Sequence, residues 1–214
     1  LVVYTDSDSA EIIKGIRAEY GLEDKTIIVQ TDNLFELVPG LLPKLEKISH
    51  NKDFLNFRYL PEASSNNPKY DYLWMMKYYF MNDAYERGLL SENVVWMDFG
   101  FDHGGITYSD AEDYNFLWKY DFNNKIHISC LHDPDSVIGM QSLQFQDDCV
   151  MGCMYGLSRE LVPTFWHLVE NAMKALLMLD CIDDDQQLVL MAYKARPDPV
   201  SYTHLRAHET TLHL

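Results

Sequence analysis

An α/β fold, with a mostly parallel sheet covered by helices on both faces, follows from three features of this sequence. Short apolar runs rich in β-branched residues alternate with longer segments of helical period, and acidic or small polar residues close several of the runs. Leu1–Thr5 reads as a buried strand, the Ile27-Ile28-Val29 run inside Lys25–Thr31 as a strand buried on both faces, and Val94–Gly100 as the next strand. Ile126–Leu131 and Val150–Leu157 read as two more.

The intervening helices carry their own signals. Asp6-Ser7-Asp8-Ser9 can cap a helix that turns Ile12, Ile13 and Ile16 to one face and stops near Gly21. Thr31-Asp32-Asn33 caps a segment with Leu34, Leu37 and Val38, broken at Pro39-Gly40 and resumed through Leu45 and Ile48. Arg58–Lys69, with two prolines and four Ser/Asn residues, reads as a loop. Asp71–Glu86 reads as a long helix with Leu73, Met76, Phe80 and Ala84 inward, closed by Gly88. Leu161–Leu179 shows apolar residues at helical spacing, and a last helix opens at Asp183-Asp184-Asp185, where acids suit the positive end of the helix dipole.

Composition bounds the function. At 214 residues, 47% hydrophobic and 13% aromatic, the chain can bury one substantial core and is not a disordered polymer. A formal net charge of -16 argues against nucleic acid and against an anionic membrane surface, because phosphate would be repelled. No run of about 18 apolar residues is present, so no transmembrane segment is expected. Cys130, Cys149, Cys153 and Cys181 lack zinc-site spacing and read as reduced, mostly buried thiols, which points to the cytoplasm.

Both ends look incomplete. The first strand begins flush with Leu1, so further chain is expected upstream. Ser201–Thr210 reads as the translation of a sequencing adapter, with Pro199 and Val200 in the same frame. Residues 199–214 are therefore set aside as a non-native tail, which removes the i, i+4 pair His204 and His208 from consideration as zinc ligands. Residues 1–198 form a single domain on this reading.

Ligands in parallel α/β sheets sit beyond the carboxyl ends of the strands, where Asp6, Asp32 and Asp98 all fall. Asp98 and Asp102 bracket Phe99-Gly100-Phe101. Two carboxylates so placed can ligate Mn²⁺ or Mg²⁺ and present it to a diphosphate, with Gly100 letting the backbone turn sharply. The plainer alternative is that Asp98 caps a turn and Asp102 is solvated. His103, before Gly104-Gly105, can touch ligand or metal. Asp-Phe-Gly here is not a kinase magnesium loop, since no glycine-rich loop or His-Arg-Asp precedes it, and no G-x-S-x-G elbow supports a hydrolase. Asp184 and Asp185 either complement the helix dipole or serve as a general base toward an acceptor hydroxyl. Lys77, on an apolar aromatic helix, either reaches a phosphate or snorkels to the surface.

Several segments in order carry a resemblance: Tyr4-Thr5-Asp6-Ser7, Asn56-Phe57-Arg58-Tyr59, Asn67-Pro68-Lys69-Tyr70, the block Trp96–Gly105, Met151-Gly152, Asp184-Asp185-Gln186 and Leu190–Tyr193. Together they resemble the HtrL/YibB family, also labelled WlaTC/HtrL glycosyltransferases, across residues 1 to 197. That resemblance implies a GT-A-like fold and transfer of a sugar from a nucleotide-sugar donor to a saccharide acceptor in surface-polysaccharide synthesis. It places Asp98 on the metal and diphosphate side and Asp185, with Asp184, on the acceptor side. The spacing to Asp102 departs from the D-x-D of such enzymes, which leaves metal use open. A fragment lacking the upstream nucleotide-binding strand is expected to be inactive. Two competing readings are a non-catalytic saccharide- or protein-binding module on the same fold and a metal-dependent phosphohydrolase.

Overall fold

A computed structural model describes residues 1–59, 66–99, 122–147 and 149–204 of the chain. The elements are β1 (Val2–Thr5), α1 (Ser7–Glu19), β2 (Ile27–Gln30), α2 (Leu41–Ser49), α3 (Lys52–Phe57), α4 (Pro68–Glu86) and β3 (Asn93–Met97). They continue with β4 (Ile126–Cys130), α5 (Gly139–Phe145), β5 (Val150–Ser158), α6 (Val162–Met178), α7 (Asp185–Ala195) and β6 (Val200–His204). The class is α/β. β1 and β2 form a parallel pair, and the larger sheet runs β3-β5-β4-β6.

That larger sheet is mixed rather than mostly parallel. β5 pairs antiparallel with both β3 and β4, while β4 pairs parallel with β6. The expectation of parallel strands rested on strands alternating with helices, a pattern that does not fix the direction of β5, which lies between β3 and β4 through contacts distant in sequence. Val200–His204, set aside on compositional grounds, runs as an edge strand beside β4, and the Tyr202 hydroxyl donates to Asp133 Oδ1 at 3.2 Å.

The core lies between the sheet and α4, α6 and α7. Tyr78 of α4, Tyr155 of β5 and Phe165 of α6 meet as three fully buried rings with centroids 5.2 to 5.7 Å apart. α4 starts where its sequence dictates: Asn67 accepts from the amides of Lys69 and Tyr70, and Pro68 occupies the first turn, where its missing N–H costs nothing. β1 is tied to α4 by Tyr4, stacked on Phe80 at 4.4 Å and donating its hydroxyl to Asp83 at 2.6 Å.

Two faces read from periodicity point elsewhere. Ile12 and Ile16 of α1 are 64% and 50% exposed, because the two-stranded sheet has no third strand, among the described residues, to cover them. Leu73 of α4 is also exposed. Its place inside is taken by Tyr72, which is fully buried because its hydroxyl donates to Leu34 O and accepts from the Val38 amide. All four cysteines carry free thiols, with Cys130 and Cys149 buried. Among the described residues no helix is long and apolar enough to cross a membrane.

Candidate functional site

The end of β3, the middle of α4, the start of β5 and the start of α7 meet around one ammonium group. Lys77 Nζ lies 2.9 Å from Asp98 Oδ2, 2.9 Å from Asp185 Oδ2 and 2.9 Å from the Gly152 carbonyl oxygen, so all three of its N–H donors are used. The residue is only 3% exposed and does not snorkel. A buried lysine of this kind needs compensation, and two carboxylates and a carbonyl supply it. The Trp74 ring lies against the same ammonium, with Nζ 3.4 Å from its centroid.

Each carboxylate is held from a second side. Trp96, two residues before Asp98, donates its indole N–H to Asp98 Oδ1 at 2.7 Å, and the Asp98 amide donates to Cys153 O at 2.9 Å. Asp185 Oδ2 accepts from the Tyr155 hydroxyl at 2.6 Å, and Tyr78 in turn donates to the Tyr155 hydroxyl at 2.8 Å. Asp185 Oδ1 makes no hydrogen bond among the described residues. Burial pushes the Asp185 carboxyl above its ordinary range, and Lys77 and Tyr155 pull it only part of the way back. Burial, then the charge on Asp185, drives both tyrosine hydroxyls far upward, so they stay protonated as donors.

Gly152 makes this convergence possible. A Cβ at that position would stand 2.5 Å from Asp185 Oδ2, so only a hydrogen fits between β5 and α7. The start of α7 is fixed from behind by Arg58, itself 5% exposed. Its guanidinium donates to Leu143 O at 3.0 Å and to Ile182 O at 2.5 Å, and pairs with Asp183 at 3.1 Å. Asp184 then caps α7, accepting from the Gln186 amide at 3.1 Å.

Of the residues singled out from sequence, Asp98, Lys77 and Asp185 come together, with Asp184 adjacent as the cap. Asp6 stands apart from this hydrogen-bonded group. It is exposed, caps α1 and accepts from the Ser9 amide and hydroxyl, at 2.8 and 2.9 Å. Gly100, Asp102 and His103 lie outside the described residues. Sequence reasoning missed Gly152, Tyr155, Trp96 and Arg58 as site-building residues. A glycine inside the apolar run Val150–Leu157 was the available signal, because strand glycines mark close approach.

The described residues do not by themselves make a seat for Mn²⁺ or Mg²⁺. Both Asp98 oxygens are engaged by N–H donors, and the positive charge between the carboxylates is the Lys77 ammonium. Among the described residues no group of three or more His, Cys, Asp or Glu side chains is placed to hold a metal ion. What the arrangement offers chemically is a strand-end carboxylate, a buried cation and a second, buried carboxylate whose Oδ1 makes no hydrogen bond among the described residues.

No solved structure matches this chain significantly. Protein HtrL of Escherichia coli (strain K12) is 24% identical over 213 residues, covering 96% of this chain and 72% of that protein. The HtrL_YibB family, described as bacterial protein of unknown function, matches residues 1–207. With nearly its whole length matched, the chain belongs to the HtrL_YibB family.

Proposed function

We propose that this chain carries the site of a cytoplasmic glycosyltransferase that moves a sugar from a nucleotide-sugar donor to a saccharide acceptor in surface-polysaccharide synthesis. The observation that supports this most is the meeting of Asp98 and Asp185, from a strand end and a helix start remote in sequence, on the single ammonium of Lys77. A purely structural ion pair needs one carboxylate, whereas two converging acids with different surroundings divide naturally into two roles. The resemblance to GT-A enzymes assigns those roles: Asp98 to the donor side and Asp185 to the acceptor side.

In this reading Asp185 Oδ1 takes the proton of an acceptor hydroxyl. The hydroxyl oxygen forms the bond to the anomeric carbon, and the bond from that carbon to the diphosphate oxygen breaks, its electron pair leaving with the nucleotide diphosphate. Lys77 favours the ionised form of Asp185 against the burial that raises its carboxyl. The ammonium is also the positive group best placed to move from Asp98 onto the leaving phosphate. Gly100, Asp102 and His103 belong to the same donor side, and no step is drawn through a metal ion. The saturation of Lys77 also suits a binding module that keeps the fold without turnover.

Incubating the full chain with a panel of UDP-, GDP- and CDP-sugars, with and without Mn²⁺ or Mg²⁺, separates these readings. Release of nucleotide diphosphate, lost in Asp185→Asn, supports transfer chemistry. Release unaffected by Asp185→Asn, or absent across the panel, counts against it, and phosphate release from a generic ester points to a phosphohydrolase instead.

A further inference from the structure

A cavity of about 950 Å³ lies between α5 and the loops that flank it, and none of its described lining residues belongs to the Lys77 group. Leu131, Val137, Ile138 and Phe145 form its apolar side. Leu131, Ile138 and Phe145 are all exposed, so the cavity opens to solvent. Tyr59, also exposed, packs against the Phe145 ring with centroids 5.1 Å apart. Exposed apolar and aromatic side chains gathered around a concavity of this size mark a ligand site.

The polar side restricts what can fill it. His132, Gln141, Gln146 and Asp147 line the same cavity, and the described lining residues include no Lys or Arg. His132 Nε2 lies 3.5 Å from Asp147 Oδ1, so the one carboxylate there already has a partner. An anion would find no fixed cation, on a chain of formal net charge -16. A cation would find only a carboxylate that His132 shares. A wholly apolar ligand would strip water from Gln141 and Asp147 without replacing its hydrogen bonds. An uncharged ligand with both an apolar face and polar groups meets every condition. The wall is also preformed. Buried Ser142 donates to Gln187 Oε1 at 2.8 Å, and Gln187 Nε2 donates to Gly139 O at 3.0 Å, which fixes α5 to α7 two residues past Asp185. Gln146 ends α5 at φ 54, a left-handed position where Gly or Asn is usual, so a long amide is kept at the cavity against backbone preference. We propose that this cavity binds an uncharged ligand that joins an apolar ring face to hydroxyl or amide groups, the chemistry shared by neutral oligosaccharides and nucleosides.

Saturation-transfer NMR on the full chain tests this, with cellotriose, maltotriose, uridine and adenosine as uncharged probes. Trigalacturonate and the fully deacetylated chitin trimer present similar rings with negative and positive charge. At least one uncharged probe is expected to bind, and its identity as saccharide or nucleoside names the source. Phe145→Ala and Gln141→Ala should each raise its Kd about fivefold or more, while Asp98→Asn changes it less than about twofold. Both cavity residues are exposed, so both variants are expected to fold. No binding by any uncharged probe, a Kd unchanged in either cavity variant, or charged trimers that bind as tightly as the best uncharged probe overturn the proposal. A larger loss in Asp98→Asn than in Phe145→Ala moves the ligand to the Lys77 group and overturns it too. None of these outcomes involves a nucleotide diphosphate, so the cavity and the transfer reading stand or fall separately.

Discussion

Gly152 and Asp185 fit together only because position 152 has no side chain: a Cβ there would lie 2.5 Å from Asp185 Oδ2 and 2.8 Å from Oδ1. The backbone of Gly152 also supplies the carbonyl that accepts from Lys77, so one residue positions both members of the ion pair. Gly152→Ala is therefore expected to push the Asp185 carboxylate off Lys77 and Tyr155. The cost is about 1–3 kcal/mol, the range for overpacking a dense interior. Thermal unfolding checks it, and the penalty should shrink in the double variant with Asp185→Ala, which vacates the space. Equal penalties in both backgrounds would show that the close approach is not the cause.

Lys77→Met leaves the buried Asp185 and the partly buried Asp98 carboxylates without their cation. Breaking a buried pair by removing one partner costs about 3–5 kcal/mol. The loss should depend on pH in a defined direction. Burial already raises the Asp185 carboxyl and Lys77 opposes that, so without Lys77 Asp185 holds a proton more readily in the folded chain than in the unfolded one, and lowering pH favours the fold. The gap in melting temperature between wild type and Lys77→Met is expected to narrow from pH 8 to pH 5. A gap that widens on acidification would contradict the pairing.

Asp71 gives a second pH signature. Its carboxyl is pushed from 3.8 up to about 8 in the folded chain, chiefly by burial. Between those values the folded chain keeps a proton that the unfolded chain has released. Its contribution to stability is thus fully present below about pH 4, declines as pH rises, and levels off above about pH 8. Asp71→Asn removes this slope and should stabilise the chain at pH 8 by about 1–3 kcal/mol, less than the full shift implies because the amide is also poorly partnered. Melting curves of both proteins at pH 5 and pH 8 decide it: no change in their difference would contradict the shift.

Much of the framework was legible because local signals carried it. The Ile27-Ile28-Val29 run gave β2, and the helix read over Asp71–Glu86 is α4, which in the structure starts three residues earlier at Pro68 because Asn67 caps it where a loop was expected. Asp98 and Asp185 each have a local explanation, a turn cap and helix-dipole complementarity, so only their order within the family resemblance singled them out in sequence. Strand direction was not legible, since β5 lies between β3 and β4 through contacts distant in sequence. Lys77 was open between surface and site, because its burial depends on two carboxylates 21 and 108 residues further along. Asp71 was hidden for a different reason. In sequence it looks like an ordinary first-turn acid, and only its full burial without a hydrogen-bond partner among the described residues distinguishes it.

The central claim is that Asp98, Lys77 and Asp185 form the donor and acceptor sides of a nucleotide-sugar site. The most direct measurement is the melting temperature of the full chain, and of a full-length family member beside it, against UDP, GDP and CDP and their sugars, with and without Mn²⁺ or Mg²⁺. A ligand at about 100 times its Kd stabilises by about 2.7 kcal/mol, a shift of several degrees for a domain of this size. The account predicts such a shift for at least one ligand, abolished by Asp98→Asn. No shift with any ligand in either protein, or a shift that survives Asp98→Asn unchanged, would contradict it.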